Sequence, residues 1–434
     1  MTGYNVSAGS ISLCLILAFT AVFGGGQGAY AQDEAAGPLN GFIREALENH
    51  PGIREAYHQW KAAEYTIKSV RGLPDPRISY GFFGESIETR TGPQEQKFGL
   101  SQKIPFPGKR GLRAKVQAKE ARIRREKYHA IRSEVIKDVR IAFYDLYWMD
   151  RALEITREEK TILEDTEKVA RRRYESTLSS QQDVIKLQVE LSKIIERLSL
   201  IRQNRQSTAA RLNRLLNRHV NTPIDTLKQI KTREVSYTLD ELMAKSQDSR
   251  QELRAADLAV EKSEFEKSLA AMDYLPDFTF GGEYIEIGGG TTSSLDDGKD
   301  AWVATVSLNI PVWFGKNAGG LKAKEEELKA ARERKEGVEN EVSYEVHDLY
   351  LRITSYRDIV SLYRTALLPQ AQQAFDSSQT GFETGSVSFI DWLDAQRTYL
   401  KTRLAYYKAV TDYHKAIAFL ERAVGSEIGG SDEL

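Results

Sequence analysis

Two hydrophobic periods alternate along the chain. From Leu112 to about Tyr174 apolar residues recur at helical spacing, with Ile131, Val135, Val139, Phe143 and Leu146 on one stripe. The polar break Ser176-Thr177-Leu178-Ser179-Ser180 follows. Beyond it Val184, Leu187, Leu191, Ile194, Leu198, Ile201, Thr208, Leu212 and Leu215 keep a three-four spacing, interrupted by Arg205. That is the seam of a coiled coil. Ile390, Leu393, Leu400, Leu404, Tyr407, Val410, Ile417 and Val424 repeat it near the C-terminus. A helix of about 65 residues is about 100 Å long, so it needs packed partners along its whole course.

Between Pro76 and Pro105, and again between Pro276 and Pro311, the period becomes two. Ile78, Tyr80 and Phe82 alternate with Arg77, Ser79 and Gly81, and Phe98, Leu100 and Ile104 with polar neighbours. Phe278, Phe280 and Tyr284 begin the second pair, and Trp302, Ala304, Val306, Leu308 and Ile310 complete it. The pattern predicts four strands of about ten residues, the length of a tilted membrane-spanning strand. It selects Tyr80, Phe82, Phe98, Leu100, Phe278, Phe280, Tyr284, Trp302, Val306 and Leu308 as a lipid-facing set. Tyr284 and Trp302 read either as interfacial anchors or as core packing. Two soluble hairpins resting on a core are the competing arrangement. Four strands cannot close a barrel, and open edges are not tolerated in lipid. The barrel reading therefore requires an oligomer in which each chain supplies four staves.

The two halves share one plan of helix, two strands, long helix, turn and helix. Leu73-Pro74-Asp75-Pro76 returns as Leu275-Pro276-Asp277-Phe278, and Ile104-Pro105-Phe106-Pro107-Gly108-Lys109 as Ile310-Pro311-Val312-Trp313-Phe314-Gly315-Lys316. Asp145-Leu146-Tyr147 returns as Asp348-Leu349-Tyr350. The prolines stop a helix predicted over Ile53 to Arg71. We divide the chain into a leader (1–31), a first repeat (32–218), an equatorial segment (219–248), a second repeat (249–425) and a disordered tail (426–434). The leader rests on the apolar run Ile11 to Phe23, too short to span a bilayer, and on Ala29-Tyr30-Ala31, although Met1 to Ser10 carries no basic residue.

Composition removes several chemistries. The chain has 61 basic and 62 acidic residues, so nothing electrostatic calls for nucleic acid. No glycine occurs from Leu112 to Phe280, which excludes a phosphate-cradling loop there. The only cysteine, Cys14, lies in the expected leader, and the six histidines form no ligand-spaced pair, so no metal site is readable. No catalytic signature and no cofactor site is visible, and we expect no enzyme.

The twofold hairpin repeat and the segment GFETGSVSFIDWLDAQRTYL, from Gly381 to Leu400, resemble the TolC-like outer-membrane efflux proteins, the outer membrane factors of tripartite pumps. The run LSQKIPFPGKRGLRAKVQAKEARI, from Leu100 to Ile123, resembles their heavy-metal-exporter branch. The resemblance covers residues 39–425. It implies a mainly α fold with a small β part: a homotrimer in which four antiparallel strands per chain build a twelve-stranded barrel, continued by a long α-helical coiled-coil tunnel through the periplasm. It implies efflux conduction, possible cargo being heavy-metal cations, and as partners outer-membrane lipid, a periplasmic adaptor and an inner-membrane pump of the RND type. An ABC-driven protein secretion channel and a periplasmic coiled-coil scaffold are the alternatives. The turns containing Ser179 and Ser180, and Gly385, Ser386 and Val387, would be tips that meet the adaptor. Asp391 and Asp394 match the family's constriction aspartates, with Asp183 and Lys186 in their places in the first half. The competing reading is that Asp391 and Asp394 only complement a helix N-terminus. The family's gate tyrosine and arginine correspond to Phe382 and Val387, which cannot make the same bonds. The lipid-anchor cysteine carried by many metal-branch members is also missing.

Overall fold

The computed structural model describes residues 37–176, 180–227, 230, 235–290 and 295–428. The expected leader and Ser179 lie outside the described residues. Helices α1 (Gly37–Asn49) and α2 (Pro51–Arg71) are split at the extended His50, where Pro51 opens the second helix. Strands β1 (Arg77–Phe82), β2 (Glu88–Thr89) and β3 (Gly92–Ile104) follow. Then come α3 (Lys109–Glu175) and α4 (Gln181–Leu215). The second half runs through α5 (Leu239–Ser249), α6 (Gln251–Ala271), β4 (Phe278–Ile287), β5 (Ala301–Leu308), α7 (Phe314–Leu362), α8 (Leu368–Thr384) and α9 (Phe389–Val424). Helix α5, placed by sequence in the equatorial segment, takes the position in the second half that α1 takes in the first repeat.

The long helix is real: α3 has 67 residues, about 100 Å of rise. Its counterpart is α7 and α8, joined by a π turn at Tyr363–Leu367. Pro369 explains the turn: a proline ring crowds the carbonyl four residues back, here Thr365, and the wider π geometry makes room. α3 packs on α4 and α7–α8 on α9, giving two hairpins. One core joins α1, α3 and α4 through Ala46, Val139, Leu146 and Leu212. A second joins α5, α7 and α9 through Leu242, Val346, Leu420 and Val424. Ile428 is buried in this core, so the packed chain continues past α9 into the expected tail, whose residues 429–434 lie outside the described residues. A third core, near the hairpin tips, takes Leu163, Leu187, Phe382 and Trp392 from all four long helices.

The predicted seam residues are buried or half-buried, with two exceptions. Ile390 is 60% exposed, because the adjacent Phe389 turns into the core instead. Ile131 is also exposed. Arg205, the polar interruption of the first seam, has a structural cause. It binds the buried Asp150 carboxylate at 2.5 Å and the Ile224 carbonyl at 3.1 Å, while the Leu227 amide donates to Asp150 at 2.9 Å. The pair fastens the equatorial segment to the first hairpin.

The four main strands form one antiparallel sheet in the order β1-β3-β4-β5, with the short β2 paired to β3. β1 is six residues long, shorter than the pattern predicts. None of the described helices is long and apolar enough to cross a membrane.

Candidate functional site

Strand register decides what the sheet presents. Tyr80 lies opposite Phe98, Phe98 opposite Tyr284, and Tyr284 opposite Trp302, so one aromatic row crosses all four strands. Ile78, Leu100, Gly282 and Ala304 form the next row, then Phe280 with Val306 and Phe278 with Leu308. Because side chains alternate, all ten residues selected from the sequence share this face, together with Ile78. Except for the half-buried Phe278, each is exposed, which removes core packing as the role of Tyr284 and Trp302. The opposite face carries Arg77, Ser79, Ser101, Thr279, Thr305 and Ser307, and an ion pair between Lys97 and Glu283 at 2.7 Å. One edge of β1 and one edge of β5 are unpaired.

The foot of the sheet is locked to the helices by Asp277, just before β4. Its carboxylate accepts from Lys109 Nζ at 2.9 Å, the Phe106 amide at 3.0 Å and Lys103 Nζ at 3.1 Å. Lys109 also donates to the Leu275 carbonyl at 2.9 Å. Burial alone would raise the Asp277 pKa, but these hydrogen bonds outweigh it and hold the group at about 2. Gly108 turns the chain into α3 at φ 100°, a conformation that favours glycine.

The tip of the second hairpin is built by Gly381, Gly385 and Ser388. Gly385 ends α8 with φ 86°, and the Ser386 and Val387 amides donate back to the Gly381 carbonyl at 2.8 and 3.1 Å. A side chain at 381 would collide with Val387. Ser388 caps α9: its hydroxyl accepts the Asp391 amide at 3.2 Å and donates to the Asp391 carboxylate at 2.6 Å. Asp391 and Asp394 are both exposed on the face of α9 opposite Trp392, Leu393 and Gln396. Asp391 thus does complement the helix N-terminus, and it remains open to solvent. Ser180 is the residue before α4 and makes no side-chain cap bond.

Contacts that the sequence did not predict join the two hairpins here. Arg173 of α3 donates to the Phe382 carbonyl at 2.8 Å and sits 5.4 Å above its ring. Phe382 is buried and stacks on Trp392 at 5.4 Å. Phe382 thus keeps a polar cross-hairpin bond through its backbone, although its ring cannot make one. Arg397 pairs with Glu190 at 2.5 Å, Arg403 with Glu158 at 2.6 Å, and Gln396 Nε2 donates to Glu159 at 3.3 Å. Glu159 is buried, and that burial raises its pKa above the ordinary 4.5 against the pull of Arg197 and Gln396. Partners this far apart in sequence leave no local signal. Among the described residues no group of His, Cys, Asp and Glu could hold a metal ion.

The sequence model of the outer membrane efflux protein family matches residues 42–218 and 242–426. The chain belongs to this family. The outer membrane protein TolC of Vibrio cholerae is 23% identical over 368 residues, covering 81% of this chain and 82% of that one. The cobalt-zinc-cadmium resistance protein CzcC of Cupriavidus metallidurans is 21% identical over 383 residues, covering 86% of each. The crystal structure of the outer membrane protein VceC of Vibrio cholerae shares the fold, with a TM-score of 0.75 at 18% identity over 90% of this chain and 96% of that one. This outer membrane efflux protein is a channel subunit of the outer membrane that reaches into the periplasm. Its helical hairpins and four-stranded sheet share the fold of that solved outer membrane protein.

Proposed function

We propose that three copies close a twelve-stranded barrel and that their hairpins continue it as one duct of a tripartite efflux pump. The observation that carries this reading is the exposed apolar face of the sheet, in register across four strands and bounded by two open edges. A contiguous apolar patch of this kind fits lipid, and in lipid its edges must find partners. The polar face then lines the lumen. The channel performs no chemistry on its cargo; the driving force comes from an inner-membrane pump of the RND type. The turns with Ser179 and Ser180, and with Gly385, Ser386 and Val387, meet the periplasmic adaptor.

Likeness to a cobalt-zinc-cadmium resistance protein favours divalent heavy-metal cations as cargo. The exposed Asp391 and Asp394 support it, since three copies would place six carboxylates at the narrow end, where they favour cations over anions. The test is extraction, mass and conductance. The mature protein is expected to need detergent, to run as a trimer and to form cation-selective pores in planar bilayers. A monomer soluble without detergent would overturn the duct. Unchanged zinc, cobalt and cadmium tolerance in a strain lacking the gene would remove the metal cargo and leave the duct.

A further inference from the structure

The two halves map onto each other strand by strand. Arg77 pairs with Ser101 in the first hairpin as Thr279 pairs with Ser307 in the second, offsets of 202 for β1 onto β4 and 206 for β3 onto β5. All the other pairs of β1 with β3 fall on pairs of β4 with β5 under the same offsets. The chain contains one seam between unlike halves, β3 against β4, with Lys109 bound to Asp277 at its foot.

The counterparts of that bond are Lys316, in the second Gly-Lys, and Asp75, in the first Leu-Pro-Asp. Their surroundings are opposite. Asp277 and Lys109 are 8% and 4% exposed, whereas Asp75 and Lys316 are open to solvent. Neither Asp75 nor Lys316 makes a side-chain hydrogen bond or ion pair among the described residues. Ile104 and Phe106 are half-buried at the seam, while Ile310 is 73% exposed and Val312 and Trp313 lie open beside it. The chain thus ends on two unlike halves of the seam it closes once in its middle. Asp75 lies below the open edge of β1, and Lys316 below that of β5.

We infer that Lys316 of one copy binds Asp75 of the next, with β5 pairing antiparallel to that copy's β1 in the register Leu308–Ile78, Val306–Tyr80 and Ala304–Phe82. The inference rests on the oligomeric-barrel reading above. The register follows by carrying the pairs Gln102–Phe280, Leu100–Gly282 and Phe98–Tyr284 through the two offsets. It keeps every apolar partner on the outward face. It also gives a closable barrel. Along a row, Ile78 reaches Gly282, two residues beyond its own counterpart Phe280. At about 3.3 Å per residue and about 4.8 Å between strands, that stagger tilts the strands by about 35°, in the range of closed barrels. The interface uses different surfaces on the two copies, so it is heterologous and closes as a ring.

The experiment uses the full chain with Cys14→Ser, which leaves no other cysteine. Ile78→Cys with Leu308→Cys, treated with a short thiol cross-linker in membranes, is expected to give covalent trimers; either cysteine alone gives none. Ile78→Cys with Val306→Cys, two residues out of register, is expected to link several-fold less. Asp75→Lys or Lys316→Asp alone should lower the heat resistance of the trimer in detergent, and the two together should restore most of it. If the wild-type protein is a trimer but the cysteine variants show no preference for the 78–308 link, or both single charge reversals leave the trimer's heat resistance unchanged, the seam is overturned and the barrel stands. A wild-type protein that is monomeric in the membrane overturns the barrel reading itself.

Discussion

Three residues into α9, Asp391 shares the hydroxyl of the Ser388 cap, while Asp394 one turn on makes no hydrogen bond or ion pair among the described residues. A carboxylate in the first turn of a helix contributes a few tenths to about 1 kcal/mol, and an exposed one still projects its charge. Asp391→Ala with Asp394→Ala is therefore expected to raise anion permeability in planar bilayers. Unchanged ion selectivity would remove the constriction role. This acid pair was legible because its spacing is local. Glu159 was not, since its environment is made by Gln396 from the other hairpin. Its raised pKa means that the fold favours the protonated form. Stability then falls as pH rises above the ordinary carboxylate value of 4.5. Glu159→Gln keeps a polar partner for Gln396, and we expect it to raise the melting temperature at pH 7 and to change it little at pH 4. Equal melting temperatures at pH 7 would count against this account.

At the scale of elements, the helices follow from periodicity and the breaks from proline. Lys109 to Glu175 form one 67-residue helix because no proline interrupts the ladder and α4, α2 and α6 cover its sides. What periodicity leaves open is which apolar residue at a turn goes inward. Phe389 and Ile390 are neighbours, and packing against Phe382 and Trp392 selected the ring. Arg205 looked like a defect in a seam and is instead the half-buried partner of the buried Asp150. Removing one partner of such a pair costs about 3–5 kcal/mol, because the other charge stays buried. Arg205→Ala should therefore release the segment around Ile224 to Leu227, read as faster hydrogen exchange there than in wild type. Protection equal to wild type would deny Asp150 and Arg205 their fastening role.

For the whole molecule, the internal repeat is the governing fact. It places one Lys-Asp lock inside the chain and leaves its two halves at opposite edges. The aromatic row from Tyr80 to Trp302 gains meaning only when those edges meet, since a sheet with apolar residues outward and open sides is stable neither in water nor in lipid. Strand number and alternation were readable from prolines and the period of two. The row itself was not, because a shift of one residue in register would turn a strand's apolar set to the other face.

Sequence alone determined the two repeats, the long helices, the alternating strands and the paired aspartates, because each is written in the linear order of residues as a period, a spacing or a recurring segment. Tertiary structure decided the rest: the common face of the ten strand residues, the burial of Asp277 and Glu159, and the reach of Arg173 to the Phe382 carbonyl. Those depend on strand register and on contacts between residues about 170 to 240 positions apart, which no local period encodes.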